Sequence, residues 1–259
     1  PEGQTVTFSL SGTGSENFSV DSSGNISLVN ALDYETATSY TLALNASDGV
    51  NTTTSELIIT VDDVNEAPSL TNALAASSFA ENVSTGTTIA TASASDPESQ
   101  AITYSLSGTG SGNFAVDSSG NITLAAGLDY ETATSYSLTL SASDGVNTTT
   151  NTLAISISDV NEAPSLTNSL ASSSFAENVA TGTTIATASA SDPESQAITY
   201  SLSGTGSDKF AVDSAGNITL SSALDYETTT SYSLTLTASD GTNSTSNTIN
   251  ISVADVVEL

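Results

Sequence analysis

Carboxylates are the only side chains in this sequence whose type and spacing could do chemistry. The chain of 259 residues has 29 Asp and Glu residues, one cation (Lys209) and no His, Cys, Met or Trp, which gives a formal net charge of -28. Without His or Cys, it lacks the usual groups for nucleophilic catalysis, for proton transfer near neutral pH and for zinc binding. The sequence therefore predicts a protein that is not an enzyme.

The same surplus of acid restricts the partners of the chain. A surface of this charge repels the phosphates of nucleic acids and the anionic headgroups of membranes. The sequence contains no run of 18 apolar residues, so we expect no membrane insertion in this segment. Hard cations are the natural partners, and with no Cys to form disulfides we expect Ca²⁺ to stabilise the chain.

The acids recur at fixed places in a repeated unit. The string DVNEAPSLTN begins at Asp63 and at Asp159, and a shortened form places Asp255 a further 96 residues along the chain. The motifs LDYET and ASDG each occur three times with the same spacing. The second copy carries nine acids and no base; they are Glu81, Asp96, Glu98, Asp117, Asp129, Glu131, Asp144, Asp159 and Glu162.

This period predicts the domain organisation. Pro1 aligns with Pro97, so the first copy, residues 1–62, is a partial repeat that lacks its first two strands. We expect it to be disordered in isolation or capped by another chain. A linker at 63–68, a complete repeat at 69–158, a second linker at 159–164 and a complete repeat at 165–255 follow.

The elements that position the acids are predicted to be strands. Apolar residues alternate with polar ones in each copy, as in Leu153, Ile155 and Ile157, and turn signals such as Asp144-Gly145 separate the runs. No stretch has a convincing helical period. The sequence predicts an all-β chain of tandem Greek-key, immunoglobulin-like sandwiches of about seven strands, arranged end to end.

The positions of the acids at strand ends indicate a cation site. In an antiparallel sandwich, loops that are distant in sequence gather at the two poles, so acids of one copy would meet those of the next across the linker. Two carboxylates about 4 Å apart repel by several kcal/mol at an effective dielectric constant near 20. Because almost no base is available, a divalent cation is the missing partner, and the flexible oxygen coordination of Ca²⁺ suits such a set better than the strict octahedron of Mg²⁺.

The motifs xEN, DxD-like, LDxE, AxDG and DxNxxP follow one another within the repeat and together resemble cadherin domains. The form DVNEAP resembles the variety found in large bacterial surface adhesins. The resemblance covers the whole chain and implies calcium between successive domains. It also implies an extracellular or cell-surface location, here on a bacterium, and contacts between neighbouring repeats.

The resemblance assigns ligands to two junctions. The first junction, between copies one and two, would use Asp33, Glu35, Asp63, Asn65, Glu66, Asp96, Glu98 and Asp144. The second junction, between copies two and three, would use Glu81, Asp129, Glu131, Asp159, Asn161, Glu162, Asp192, Glu194 and Asp240. The linker is one residue shorter than the family pattern, and Val257 stands where Asn161 would recur, so we expect an incomplete site after copy three.

Some acids and aromatics have a structural interpretation instead. Asp117 and its counterparts Asp21 and Asp213 precede Ser-x-Gly-Asn and are predicted to be hairpin-turn acids. The tyrosines of LDYE and TSY are predicted to lie in the core or at its rim. Asp33 and its counterparts could cap a turn rather than bind an ion.

Three functions remain open from the sequence. The first is a calcium-stiffened spacer of a large adhesin, since a stalk needs only length and stiffness. In the second, the repeats themselves bind carbohydrate or self-associate. In the third, the chain is a subunit of an extracellular filament or sheath.

Overall fold

The computed structural model describes residues 4–257, so the outermost residues of the partial first repeat and of the C-terminal end lie outside the described part. The chain is all-β, as predicted. The described residues divide into two compact units. The first comprises the chain up to Ser77, Ser84–Gly127 and Ser135–Ile155, and the second comprises Ser78–Val83, Leu128–Thr134 and the chain from Ser156 onward. The division runs through copy two, so each predicted junction falls within a single unit.

Copy three shows the complete sandwich and lies wholly in the second unit. Its strands are β14 (Ser165–Leu170), β15 (Phe175–Ala176), β16 (Thr184–Ser191), β17 (Thr199–Ser203), β18 (Phe210–Val212), β19 (Asn217–Leu220), β20 (Ser231–Ser239) and β21 (Ser244–Ala254). One sheet has the order β14-β16-β19-β18 and the other β15-β21-β20-β17. The copy therefore has eight strands, one more than the sequence predicted.

The additional strand arises at the start of the copy. Strand β14 pairs antiparallel with β16 in one sheet, whereas β15 pairs parallel with β21 in the other. The N-terminal segment of the copy thus contributes one strand to each sheet. This change of sheet places Glu177, which follows β15 directly, beside the C-terminal end of β21, because its N–H donates to the carbonyl of Ala254 at 3.0 Å.

The core of copy three lies between the two sheets. Alternate residues of β20 and β21 point inward, as the burial of Leu234, Leu236, Ile249 and Ile251 shows. Phe210 and Tyr232 meet edge to face with ring centroids 5.3 Å apart. The expectation that the TSY tyrosines are core residues holds for Tyr232 and for Tyr40, both of which are buried.

Copy two repeats this strand pattern. Its strands are β6 (Ser69–Leu74), β7 (Phe79–Ala80), β8 (Thr88–Ser95), β9 (Thr103–Ser107), β10 (Phe114–Val116), β11 (Asn121–Leu124), β12 (Ser135–Ser143) and β13 (Thr148–Ser158). The residues between β13 and β14, 159–164, form no regular secondary structure. Short 3-10 turns at Ser15–Asn17, Ser111–Asn113 and Ser207–Lys209 are the helices of the described residues, and none of them is long or apolar enough to cross a membrane.

Copy one has a smaller core. Its strands are β1 (Thr7–Ser11), β2 (Phe18–Val20), β3 (Ile26–Leu28), β4 (Ser39–Ser47) and β5 (Thr52–Thr60), with β4 between β1 and β5 and a separate β2-β3 pair. Leu28 is 56% exposed, whereas its counterpart Leu124 is 1% exposed. The side chain of Leu28 is therefore uncovered where that of Leu124 is enclosed, and the expectation that copy one is disordered or capped in isolation stays a prediction.

Candidate metal centre

The first junction brings together one acid from copy one, one from the linker and one from copy two. Glu35, Asp63 and Glu98 each place a carboxylate oxygen within 4.8 Å of the other two. Glu35 follows the Asp33 turn, Asp63 begins the linker, and Glu98 lies in the loop after β8. Ser99 adopts a left-handed φ of 62° directly after Glu98, a conformation that turns the loop sharply.

The second junction holds two overlapping clusters of acids. Glu81, Glu131 and Glu162 form one, and Glu131, Asp159 and Glu194 form the other, again with oxygens within 4.8 Å. Glu131 belongs to both clusters. An open cleft of about 370 Å³ lies beside them, lined by Glu81, Leu128, Asp129, Glu131, Glu162 and Pro193.

Glu81 is fixed by the backbone. It is only 6% exposed, and its two carboxylate oxygens accept the N–H of Tyr130 at 2.6 Å and the N–H of Val160 at 2.7 Å. One side chain thereby connects the LDYE turn to the start of the second linker. The turn carries Glu131 and the linker carries Asp159 and Glu162, so these bonds position the other acids of the clusters.

Like charges face each other at both junctions. Glu98 beside Glu66 raises the pKa of Glu66 to about 7, with burial and the charge of Glu35 adding to the effect. The pKa of Glu98 is lowered because its partner Glu66 supplies a hydrogen bond. The pair therefore retains a proton to higher pH than an isolated carboxyl would when no cation is bound.

The second junction repeats this pairing. The Glu194 carboxyl raises the pKa of Glu162 to about 7, and burial and the charge of Glu81 act in the same direction. Burial is the largest cause of the raised pKa of Glu131, and the charge of Glu81 raises this pKa further. Both junctions thus accumulate negative charge that has no base to neutralise it.

The donor set fits a hard cation. Within residues 4–257, five buried carboxylate oxygens accept no hydrogen bond; they are Asp96 Oδ2, Glu98 Oε2, Glu162 Oε2, Asp192 Oδ2 and Glu194 Oε2. An unsatisfied buried charge is costly, and Ca²⁺ binds carboxylate oxygens in such groups. The Lys209 ammonium donates to the carbonyl of Ala223 at 2.9 Å rather than to any of these acids.

Several predicted ligands lie outside these clusters, and two of them, Asp33 and Asp129, close turns. Asp33 accepts the backbone N–H of Thr36 at 3.1 Å and its hydroxyl at 3.0 Å, and Asp129 makes the same two contacts with Thr132 at 3.0 and 2.9 Å. These are the turn caps that the sequence offered as an alternative. Their role as metal ligands stays a prediction.

The predicted Asn and AxDG ligands contact each other. Asn65 donates to Asp144 at 2.9 Å, and Asn161 donates to Asp240 at 2.8 Å. Burial raises the pKa of Asp144, but hydrogen bonds from Asn65, Val146 and Asn147 outweigh it and the net shift is downward. Asp96 and Asp192 each use one oxygen to accept the backbone N–H of a Gln, at 2.9 Å in both cases.

The hairpin-turn interpretation of Asp117 is confirmed. Its carboxylate accepts the N–H groups of Ser119 and Asn121 and the side-chain amide of Asn121, all within 2.9 Å. Asp21 and Asp213 make equivalent bonds. The hydrogen bonds from the Asn side chain and backbone lower the pKa of all three.

Sequence reasoning missed several residues around the sites. Glu177, Asp225 and Glu227, all within copy three, form a fourth cluster at positions equivalent to Glu81, Asp129 and Glu131. The sequence predicts an incomplete site at this end of the copy but does not name these residues. Gln100, Asn147 and their counterparts Gln196 and Asn243 bond to the linker Asn residues. The same period of 96 residues would have marked them, but uncharged amides are inconspicuous in a chain rich in Ser, Thr and Asn.

The family sequence model described as the cadherin domain matches three parts of the chain, residues 1–62, 76–158 and 171–254. The chain belongs to the cadherin family. The three matches coincide with the three copies, and the repeats are thus tandem cadherin domains.

Relatives and solved structures agree with this assignment. The Drosophila melanogaster Fat-like cadherin-related tumor suppressor homolog is 34% identical over 270 residues, which cover 96% of this chain and 6% of that protein. The extracellular cadherin domains 1–5 of protocadherin gamma B2 are 26% identical with a TM-score of 0.61, covering 98% of this chain and 54% of that one. The cis-dimer structure of protocadherin gammaB7 EC3-6 is 25% identical with a TM-score of 0.55, covering 98% and 68%. This cadherin chain therefore spans only a small part of the Drosophila relative.

Proposed function

We propose that this chain is a calcium-stiffened spacer segment of a large extracellular adhesin. The observation that carries the proposal is the meeting of Glu35, Asp63 and Glu98, which come from copy one, the linker and copy two. A cation bound there would be shared by three parts of the chain. Bending at the linker would then break coordination bonds.

The proposed ligands are the residues of the acidic clusters, together with Glu66, which pairs with Glu98, and with Asp96 and Asp192, each of which has a buried oxygen that accepts no hydrogen bond from the described residues. At the first junction they are Glu35, Asp63, Glu66, Asp96 and Glu98, and at the second they are Glu81, Glu131, Asp159, Glu162, Asp192 and Glu194. Calcium suits them because it accepts 6 to 8 oxygens in flexible geometry. The bacterial setting is part of the proposal and is supported by the DVNEAP form of the linker, whereas the Drosophila relative is an animal protein.

Calcium removal tests the proposal directly. We expect calcium to raise the melting temperature and to protect the linkers at 63–68 and 159–164 from protease, and we expect a chelator to reverse both effects. A site that is present at a hundredfold excess over its dissociation constant adds about 2.7 kcal/mol to the free energy of unfolding. Magnesium at the same concentration is the control, because it prefers a stricter octahedron. Identical melting curves with calcium and with chelator would exclude the proposal.

A second candidate function is self-association. Protocadherin gammaB7 EC3-6 forms a cis-dimer in its solved structure, and this chain is similar to that protein over most of its length. Sedimentation at increasing chain concentration, with and without calcium, separates the candidates. A spacer remains a monomer in both conditions, whereas a self-associating module gains mass. Binding of the isolated chain to a glycan array would favour the carbohydrate-binding alternative.

A further inference from the structure

The linker Asn of the first junction is held by amide donors. Its own side-chain NH₂ donates to Asp144 Oδ2 at 2.9 Å. The side-chain NH₂ of Gln100 donates to Asn65 Oδ1, and the side-chain NH₂ of Asn147 donates to the Asn65 carbonyl at 2.9 Å. We call Asn65, Gln100, Asp144 and Asn147 the amide half of the first junction.

The second junction has the same arrangement. Asn161 donates to Asp240 Oδ2 at 2.8 Å, Gln196 donates to Asn161 Oδ1, and Asn243 donates to the Asn161 carbonyl at 2.7 Å. The amide half of the second junction therefore comprises Asn161, Gln196, Asp240 and Asn243. Two independent loops with the same contacts show that the arrangement belongs to the repeat.

Asp144 has little capacity left for a cation. Its Oδ1 accepts the backbone N–H groups of Val146 and Asn147, both at 2.6 Å, and its Oδ2 accepts Asn65. A cation that used Asp144 Oδ2, Asn65 Oδ1 and the Asn65 carbonyl would have to displace three hydrogen bonds. The buried Oδ2 of Asp96 and Oε2 of Glu98, by contrast, accept no hydrogen bond from the described residues.

We propose that the amide groups of Gln100 and Gln196 take the place of a cation at the linker Asn of each junction. Asn65, Asp144, Asn161 and Asp240 are then positioning residues rather than calcium ligands, which departs from the ligand set that the family resemblance assigns. Calcium binds only among the carboxylates of each junction. This inference rests on the proposed calcium function, but it concerns different residues.

Calcium counting tests the assignment of the Asp residues. We expect the double variant Asp144→Asn/Asp240→Asn to bind as many ions at saturating calcium as the unmodified chain, measured by equilibrium dialysis. Asp48→Asn is the matched control, because Asp48 makes the same turn contacts with Val50 and Asn51 in copy one. The variant Asp63→Asn/Asp159→Asn should lower the count. A lower count in the Asp144/Asp240 variant would overturn the inference.

A gain of binding tests the role of the Gln residues. Gln100→Glu/Gln196→Glu replaces each donor with a carboxylate beside the freed Asn oxygen, so we expect an additional ion at each junction. Gln4 occupies the equivalent position in copy one and is exposed, so Gln4→Glu is the matched control and should leave the count unchanged. If the Gln residues had only a packing role, the double variant would bind no additional calcium ions. An unchanged number of bound ions in the double variant would therefore contradict the proposal.

A measurement in calcium-free buffer distinguishes a failure of the amide proposal from a failure of the spacer proposal. A chain that binds no calcium would refute the spacer, yet the amide half would still hold its hydrogen bonds. We expect the side-chain NH₂ protons of Gln100 and Gln196 to exchange with solvent more slowly than those of Gln4 in calcium-free buffer, as NMR would show. Exchange as fast as that of Gln4 would contradict the proposed role of the Gln100 and Gln196 amide groups, whether or not the chain binds calcium.

Discussion

Glu81 and Glu131 belong to the same cluster, but we expect these two residues to have opposite effects on the stability of the calcium-free chain. Glu81 is buried and satisfies two backbone N–H groups, whereas Glu131 is exposed and adds repulsion. In calcium-free buffer, we expect Glu81→Ala to lower the free energy of unfolding by about 2 kcal/mol, because it leaves two partly buried N–H donors, those of Tyr130 and Val160, without an acceptor.

Glu131→Ala is the control for that substitution. It removes the same charge and belongs to the same cluster, but we expect it to leave the calcium-free melting temperature unchanged or to raise it. Denaturant unfolding of both variants provides the comparison. If Glu81→Ala were no more destabilising than Glu131→Ala, the two hydrogen bonds of Glu81 would have no role in stability.

The paired carboxyls predict a pH dependence in the absence of calcium. The pKa of Glu66 and that of Glu162 are raised from 4.5 to about 7. The folded chain therefore holds protons that the unfolded chain releases between these pH values, so stability falls as the pH rises from about 4.5 to about 7. Melting temperatures across this range should show a smaller fall in Glu66→Gln/Glu162→Gln than in the unmodified chain.

Glu16→Gln is the control for the pH experiment, since Glu16 is exposed and remote in sequence from both linkers. With calcium present, the sign should reverse, because protons compete with the ion for the same oxygens. A variant that retains the full pH dependence would show that other groups cause it.

At the scale of elements, the turn before each 3-10 helix depends on a glycine for two reasons. Gly206 has a left-handed φ of 78°, and a Cβ atom there would lie 2.6 Å from the ring of Tyr232. Gly182, in the same copy, has a similar φ of 85°, but a Cβ atom there would have no neighbour within 4 Å among the described residues. The two positions separate backbone strain from steric overlap.

We expect Gly182→Ala to cost about 1 kcal/mol, the strain of a left-handed alanine. Gly206→Ala should cost about 1–3 kcal/mol more, because the Tyr232 ring must move from its contact with Phe210. Chemical denaturation measures both values. Equal losses in the two variants would mean that the ring moves aside freely.

The sequence predicts most strands, but it does not predict how the first strands of each complete copy pair. Alternation locates the inner strands because Ile249, Ile251 and Val253 must all face the same core. It does not reveal that β14 and β15 pair in different sheets, because β15 has only two residues and is too short to show an alternation. That outcome depends on which neighbours each strand meets, and the chain has no local signal for it.

The candidate metal sites, like the strands, could be predicted only in part. Carboxylates that repel one another must be neutralised, so their grouping at the junctions could be inferred from charge and repeat spacing. The contacts of Asn65 and Gln100 could not, because an amide can donate or accept and its partner is decided by side-chain conformation.

At the scale of the whole molecule, the spacer proposal requires that calcium limits movement at both junctions. Under this proposal, the carboxylates of each junction repel in the absence of calcium and the linkers would be free to bend. Bound calcium would hold the ligands of adjacent copies on common ions. A copy with strands of about ten residues at about 3.3 Å per residue, plus its loops, is about 40 Å long, so two complete copies would then reach about 80 Å end to end.

Small-angle X-ray scattering with calcium and with chelator is the most direct test of this claim. We expect a distance distribution that reaches the extended length in calcium and broadens in chelator. Asp159→Ala/Glu162→Ala should broaden it even in calcium by loosening the second junction, with each sandwich still folded by circular dichroism. A scattering profile that is identical with calcium and with chelator, or a compact profile in calcium, would contradict the spacer account.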